Sequence, residues 1–407
     1  MKRKLVVAAF IAGGLSSPLA LATSGYFSQG YSMKEFGMAG VGIALPQDSL
    51  AAATNPAGMA MVGDRFDVGL EWFKPNRSTT ITAPNPGAGN YDGNGRSNFF
   101  IPNLGYNKMV GSDMSLGVSI YGNGGMNTQY NTNMFGGQGP AGVNLQQLFV
   151  SPTWAMKVAP AHSIGVSLNL VYQTFAATGL QPFAGLSSNP SAVTNQGTDT
   201  STGVGVKLGW TGEITPMVTL GATYQPKTKM SKLSKYSGLF ADGGNFDIPA
   251  TYGAGIAVKA TPATTVAFDV QKIQYSGVPS VGNSNTAGGP LGAPNGMGFG
   301  WQDVTVYKLG IAQKIDSTLT VRGGYSHNNQ PIPSSQTYFN ILAPGVITDH
   351  LTLGATWTLA DKSEVTLGYM HAFKKTVNGS GSIAPAFGGG EANLSMSEDA
   401  LGVSYGW

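Results

Sequence analysis

The chain closes on Leu401-Gly402-Val403-Ser404-Tyr405-Gly406-Trp407, where large apolar side chains alternate with small or polar ones and the last residue is aromatic. Period-two alternation puts successive side chains on opposite faces of a strand. A final strand leaves an unpaired edge unless its sheet closes on itself, so this ending predicts a barrel whose last strand meets its first. Upstream the pattern recurs. Leu351, Leu353, Ala355, Trp357 and Leu359 alternate with Thr352, Gly354, Thr356 and Thr358, and Val365, Leu367 and Tyr369 with Glu364, Thr366, Gly368 and Met370. Leu319, Val321 and Tyr325 alternate with Thr320, Arg322, Gly324 and Ser326. Ile164, Val166, Leu168, Leu170 and Tyr172 alternate with Gly165, Ser167, Asn169 and Gln173.

A soluble sandwich shares this period, and the rhythm of the connections separates the two classes. Tight links near residues 110–113, 159–163, 215–217, 261–264, 316–317 and 361–362 alternate strictly with long links rich in Gly, Asn, Ser and Pro. Short turns on one rim and long loops on the other mark an outer-membrane barrel. Alternating segments begin near Arg65, Asn98, Met114, Leu145, His162, Thr202, Met217, Phe246, Thr264, Trp301, Ser317, Asp349, Ser363 and Leu394, which makes 14. The expected fold is therefore all-β, a 14-stranded antiparallel transmembrane β-barrel. Trp72, Phe73, Tyr106, Tyr121, Trp154, Tyr224, Trp301 and Trp407 are expected as its interface girdles.

Composition agrees. The 407 residues are only 11% charged and include 59 glycines, about twice the usual share. Met1-Lys2-Arg3-Lys4, the apolar run 5–15 and Ala20-Leu21-Ala22 read as a signal peptide over 1–22, so the protein is expected to be exported with Thr23 first. Its apolar run is too short for a spanning helix and is broken by Gly13, Gly14, Ser16, Ser17 and Pro18; no later stretch approaches the roughly 18 residues such a helix needs. Zero cysteines exclude a disulfide framework and thiolate chemistry. A net charge of +3 is too small to imply nucleic acid.

On this parity the lumen carries few ionisable groups: Arg65, Asp67, Glu71, Lys207, Asp269, Lys308, Arg322 and Glu364. Structural ion pairs among them are the simplest reading. An interior this weakly polar suits an apolar solute better than bulk ion flow. Residues 23–63 do not alternate, yet they contain Tyr26, Phe27, Tyr31 and Phe36, too apolar for a disordered tail. They are expected to fold into the lumen as a hatch, with a short helix near 49–53, ahead of a barrel over 64–407.

At these residues the chain resembles the FadL family of outer-membrane transporters for long-chain fatty acids and other hydrophobic compounds, including aromatic hydrocarbons. The resemblance rests on Ser24-Gly25-Tyr26-Phe27, Glu35-Phe36-Gly37-Met38-Ala39-Gly40, Asp48 and Asn55-Pro56-Ala57-Gly58-Met59. It continues in Arg322-Gly323-Gly324-Tyr325, Pro331-Ile332-Pro333 and Gly368-Tyr369-Met370-His371. It implies a hatch gated through Ser24, Gly25, Tyr26, Phe27, Asn55, Pro56 and Ala57, capture by extracellular loops, an inner apolar pocket, and sideways release at an inward kink of the third strand. Here that strand runs from Met114 into Gly122-Asn123-Gly124-Gly125, and Gly122, Gly124 and Gly125 either bulge it or begin the next loop. Lateral release needs no energy source, because each buried CH₂ is worth roughly 0.8 kcal/mol on leaving water.

The capture site is expected in two loops, at Met134, Phe135, Leu145 and Leu148 and at Leu180, Phe183 and Leu186. Fatty-acid members of the family present basic side chains to the carboxylate. The equivalent stretches here, Tyr172-Gln173-Thr174-Phe175 and Trp301-Gln302-Asp303, have none, leaving Lys308 and Arg322 as substitutes and favouring neutral solutes. An outer-membrane lipid hydrolase is one alternative. Its base would come from His162, His327, His350 or His371, which the strand map places at turns, rims or the lipid face, with His327 the best seed. A polar-solute porin is the other. No cofactor and no metal are expected, and the partners are a hydrophobic small molecule, outer-membrane lipid and lipopolysaccharide around a monomer.

Overall fold

The computed structural model describes residues 24–286 and 288–407, so the expected signal peptide lies outside the described residues. Fourteen antiparallel strands pair in chain order: β1 (Arg65–Ile81), β2 (Phe99–Val110), β3 (Met114–Asn127), β4 (Gly142–Ala159), β5 (His162–Thr178), β6 (Asp199–Thr215) and β7 (Val218–Gln225). They continue as β8 (Thr251–Lys259), β9 (Thr264–Ile273), β10 (Val304–Lys314), β11 (Leu319–Asn328), β12 (Asp349–Thr358), β13 (Glu364–Val377) and β14 (Ala392–Gly406). A four-residue strand, Gly89–Asp92, folds back on the top of β1. β14 pairs with β1 from Asp67↔Gly406 to Ile81↔Ala392, and Trp407 and Phe66 exchange backbone hydrogen bonds of 3.0 and 2.9 Å, so the final strand has no free edge.

The alternation sorts the two faces. On β5, Val166, Leu168, Leu170 and Tyr172 are each at least 39% exposed, while Ser163, Ser167, Asn169 and Gln173 are buried inside. An unbroken apolar exterior of this extent requires lipid around it. Trp72, Tyr172, Tyr252, Tyr307, Tyr325 and Tyr369 face outward toward the long-loop rim, and Tyr106 and Trp357 toward the short-turn rim, as aromatic girdles do.

Several expectations are corrected. Phe73 and Tyr121 point inward and are buried rather than joining a girdle. Phe246 and Trp301 do not open strands, which start later at Thr251 and Val304; both rings lie in loops folded into the barrel mouth, where apolar residues mimic strand residues. His350 faces the lumen, fully buried with Nδ1 3.2 Å from Ser326 Oγ, because its neighbour Leu351 takes the lipid-facing position.

Residues 24–60 lie almost wholly buried inside the barrel. Two four-residue helices, Met33–Phe36 and Ala51–Thr54, and a 3₁₀ turn, Pro56–Ala60, are joined by turns and irregular chain. Room for this backbone comes from inward-facing glycines on successive strands. A Cβ on Gly209 would strike the Asn55 side chain and Pro56, one on Gly221 the Ile43 carbonyl, and one on Gly324 the Met38–Ala39 peptide. Much of the high glycine content is thus wall shape, since a backbone can approach a strand closely only where no side chain intervenes.

Candidate transport site

Six of the lumen's ionisable side chains, Asp67, Lys207, Asp269, Lys308, Arg322 and Glu364, bind the N-terminal segment directly. Asp269 Oδ2 accepts from the N–H groups of Gly42 (2.8 Å) and Ile43 (3.0 Å), and Asp67 Oδ2 from Ser49 N (3.0 Å) and Oγ (2.6 Å). Lys308 Nζ donates to the carbonyls of Gln29 and Gly40, both at 3.2 Å, and Lys207 Nζ to that of Ala53. Arg322 Nε donates to Gln47 Oε1 (3.1 Å), and Lys34 pairs with Glu364 at 2.6 Å. Arg65 ties Glu364 to Asp67. Lys308 and Arg322, expected to receive a substrate carboxylate, are therefore engaged elsewhere: buried polar groups must be satisfied, and Lys308 serves two backbone carbonyls of the segment while Arg322 serves the Gln47 side chain.

Charged hydrogen bonds of this kind are worth about 1.5–3 kcal/mol each. Asp269→Ala is accordingly expected to speed proteolysis within residues 40–60 at least about tenfold while the barrel's melting stays unchanged; limited digestion in detergent reads both. Within the segment, Glu35 is buried, and burial together with the nearby Asp48 carboxylate pushes its carboxyl up to about 8. Seating that prefers the protonated form is fully available below the ordinary carboxylate range and weakens as pH rises through about 8. Protease access to the segment should increase from pH 5 to 9 in the native protein and much less in Glu35→Gln, as timed digestion would show.

Asn55, Pro56 and Ala57 form a close joint with the wall at Gly165 and Gly209. Asn55 Nδ2 donates to the carbonyls of Ile43 (2.7 Å) and Trp210 (3.0 Å), and its Oδ1 accepts from Ala57 N (3.1 Å), capping the 3₁₀ turn that Pro56 begins.

The third strand carries a defect in the wall. β2 pairs with β3 only from Leu104↔Ile120 to Val110↔Met114, so among the described residues no strand lies against Phe99–Asn103 on that side. β3 stays paired with β4 but bulges at Asn123, between Gly122↔Leu148 and Gly124↔Gln147, and residues 121–127 turn inward until all are buried. Its released edge takes a new neighbour. Gly125 N donates to Tyr26 O and Ser28 N to Asn123 O, both at 3.0 Å. Above, Gly93 and Gly95 pair with Gln129, and the Arg77 guanidinium donates to the carbonyls of Asn127 and Arg96. The result is a framed gap in the ladder, a window in the hydrogen bonding of the wall, beside the apolar cluster of Met33, Phe36, Phe73, Phe99, Ile101 and Met370. Gly122, Gly124 and Gly125 thus belong to the bulged strand rather than to the start of a loop.

At the mouth, the long loops fold over a small, half-open apolar pocket lined by Phe135, Val143, Phe175, Leu180, Phe183, Phe240, Leu291, Phe299 and Phe339 and, among the described residues, by no charged side chain. Phe183 sits 5.1 Å from Phe135, 5.6 Å from Phe339 and 5.9 Å from Phe387, ring centre to ring centre, so four separate loops meet on it. Of the expected capture residues, Phe135, Leu180 and Phe183 line this chamber; Met134 is buried beside it and Leu186 packs against the same core. Leu145 and Leu148 differ: both lie within β4, Leu145 facing inward and Leu148 outward, because the strand starts at Gly142 and keeps its period of two. A run of rings leads inward, Phe175–Phe240 (4.6 Å), Phe240–Phe246 (5.0 Å) and Phe246–Tyr26 (6.0 Å). Tyr26 ends it, packed on Tyr275 at 5.1 Å and Trp301 at 5.8 Å, with Ser24 O accepting from Tyr275 Oη at 2.5 Å. Beyond lies a small inner cavity of mixed polarity, reached by Phe27, Tyr31, Lys207 and Lys308. Phe240, Phe299 and Phe339 escaped the sequence reading because irregular loops carry no periodicity; their only signal is aromatic density.

A lipid-facing barrel, filled by its own N-terminal segment and roofed by an apolar chamber, defines an outer-membrane transport barrel of the Gram-negative envelope. The chain belongs to the outer membrane transport proteins described as OMPP1/FadL/TodX, whose family model matches residues 17–405. It is similar to the long-chain fatty acid transport protein of Escherichia coli K12, at 22% identity over 91% of this chain and 94% of that one. Among solved structures, a Pseudomonas aeruginosa FadL homologue superposes with a TM-score of 0.72 at 15% identity, covering 94% of this chain and 99% of the other. The Pseudomonas putida toluene transporter TodX does so with 0.69 at 19% identity, with the same coverage.

Proposed function

We propose that this protein carries neutral hydrophobic small molecules, hydrocarbons rather than carboxylates, across the outer membrane without an energy source. The observation that supports this most is the chamber, walled by aromatic and aliphatic side chains with no charged group among the described residues, while the lumen's Lys207, Lys308 and Arg322 are bound to the N-terminal segment. A solute of that class loses water contact in the chamber, follows the rings to Tyr26, and leaves between β2 and β3 into lipid, with residues 24–63 acting as the hatch. Moving apolar surface from water to the chamber and on to lipid is downhill overall, so no energy source is needed.

An uncharged photoreactive aromatic hydrocarbon is expected to label Phe183, Phe240 or Phe299. Phe183→Asp should cut its binding at least about tenfold, since an unpaired carboxylate in an apolar site costs several kcal/mol. Labelling confined to the outer barrel wall in both proteins would count against the chamber. A long-chain carboxylate is the second reading, favoured by Lys207 and Lys308 at the inner cavity; it has to compete with the Ala53, Gln29 and Gly40 carbonyls for them.

A further inference from the structure

We propose that Pro102 is the positioning residue that keeps the window beside β3 open, by removing the N–H through which β2 would draw β3 back into the ladder. Along an antiparallel strand the N–H and C=O of successive residues point to alternate neighbours. Phe66 exchanges both of its bonds with Trp407, and Arg77 O accepts from Gly93 N on the opposite side, so even residues of β1 face β14 and odd ones face β2. The register Glu71↔Ile101 and Gly69↔Asn103 then directs odd residues of β2 to β1 and even ones, Phe100, Pro102 and Leu104, to β3. Leu104↔Ile120 is the last pair. The next would be Pro102 with Gly122, and Pro102 has no hydrogen to donate there.

Proline in a paired strand is not sufficient by itself. Pro152 of β4 leaves only a local gap in the pairing with β5, between Val150↔Leu170 and Thr153↔Ser167, and the ladder continues in the same register on both sides. At Pro102 a rival is present. Within three residues of the lost pair, β3 is paired with Tyr26–Ser28 instead, through Gly125 N to Tyr26 O and Ser28 N to Asn123 O. Two edges compete for one, and the proline handicaps β2, which lets the N-terminal segment win. Its placement on an edge without a neighbour is also where a strand tolerates proline best.

The consequence for flux rests on the proposed sideways exit, and the test separates the two claims. Full-length Pro102→Val is compared with native protein in lipid nanodiscs by amide exchange, with Pro102→Ala as a less bulky variant should valine impair folding. Peptides covering 99–104 should exchange at least about tenfold more slowly, and those covering 24–28 correspondingly faster. Hydrocarbon uptake should fall at least about threefold, a loss that follows the population of the closed window. Exchange unchanged in both peptides, with the variant folded, overturns the role given to Pro102. Exchange shifted as expected with undiminished uptake supports that role and overturns the sideways exit.

Discussion

Valine at Gly124 is expected to lower uptake of a hydrophobic substrate at least about tenfold, the effect of roughly 1.4 kcal/mol or more, in a barrel that still folds and reaches the surface. A Cβ there would land on the Tyr26 carbonyl, with Phe27 Cα only 3.3 Å away. The strain cannot be relieved outward, because Gly124 is already held to Gln147 of β4 on its other side. The N-terminal segment must let go of β3, so the edge that Tyr26–Ser28 satisfies loses its partner and Tyr26 leaves the end of the ring series. Gly323→Val is the matched control. It adds the same atoms to a strand glycine whose nearest neighbour is 3.8 Å away, and uptake should be unaffected. Normal uptake in Gly124→Val, with surface display equal to native, would remove the bulge from the mechanism.

The second large effect is on conductance. Asn55→Ala deletes three hydrogen bonds and leaves the Ile43 and Trp210 carbonyls and the Ala57 amide without the side chain that satisfies them. At about 1 kcal/mol for each, the loss approaches 3 kcal/mol, a factor of about 150 in the ratio of seated to unseated segment. The native lumen is filled, so the native protein should conduct little. The variant should show openings at least about tenfold more frequent in planar bilayers, with its outer-wall strands intact. A native-like record would mean that the Asn55–Pro56–Ala57 joint does not hold the segment in place.

The wall of the barrel was legible because two physical requirements write themselves into sequence: one face must meet lipid, and the polypeptide must return by a short turn on one rim. Those fix alternation and loop rhythm, which is why strand starts such as Met114, His162, Thr264 and Asp349 coincide with the observed ones. The interior was less legible. Lys308 and Arg322 look like substrate ligands in isolation, and only the path of residues 29–47 shows what they hold. Arg77 was missed as a lumen residue, although it is buried, because Pro75 and Asn76 disguise the upper half of β1 as loop, and buried Glu398 because the adjacent Asp399 leaves the inward parity of β14 ambiguous. The chamber was half visible, in Phe135, Leu180 and Phe183; Phe240, Phe299 and Phe339 come from loops whose meeting is set by tertiary packing, which no local pattern records.

The central claim is that an uncharged pocket selects an uncharged solute. It is tested most directly by measuring, in the same cells, saturable uptake of a labelled monoaromatic hydrocarbon and of a labelled long-chain carboxylate, with native protein and with Phe183→Asp. Protein-dependent hydrocarbon uptake that Phe183→Asp abolishes, with carboxylate uptake at least about tenfold lower, is the predicted result. Uptake of the carboxylate alone, or of the hydrocarbon at equal rate in both proteins, would contradict it.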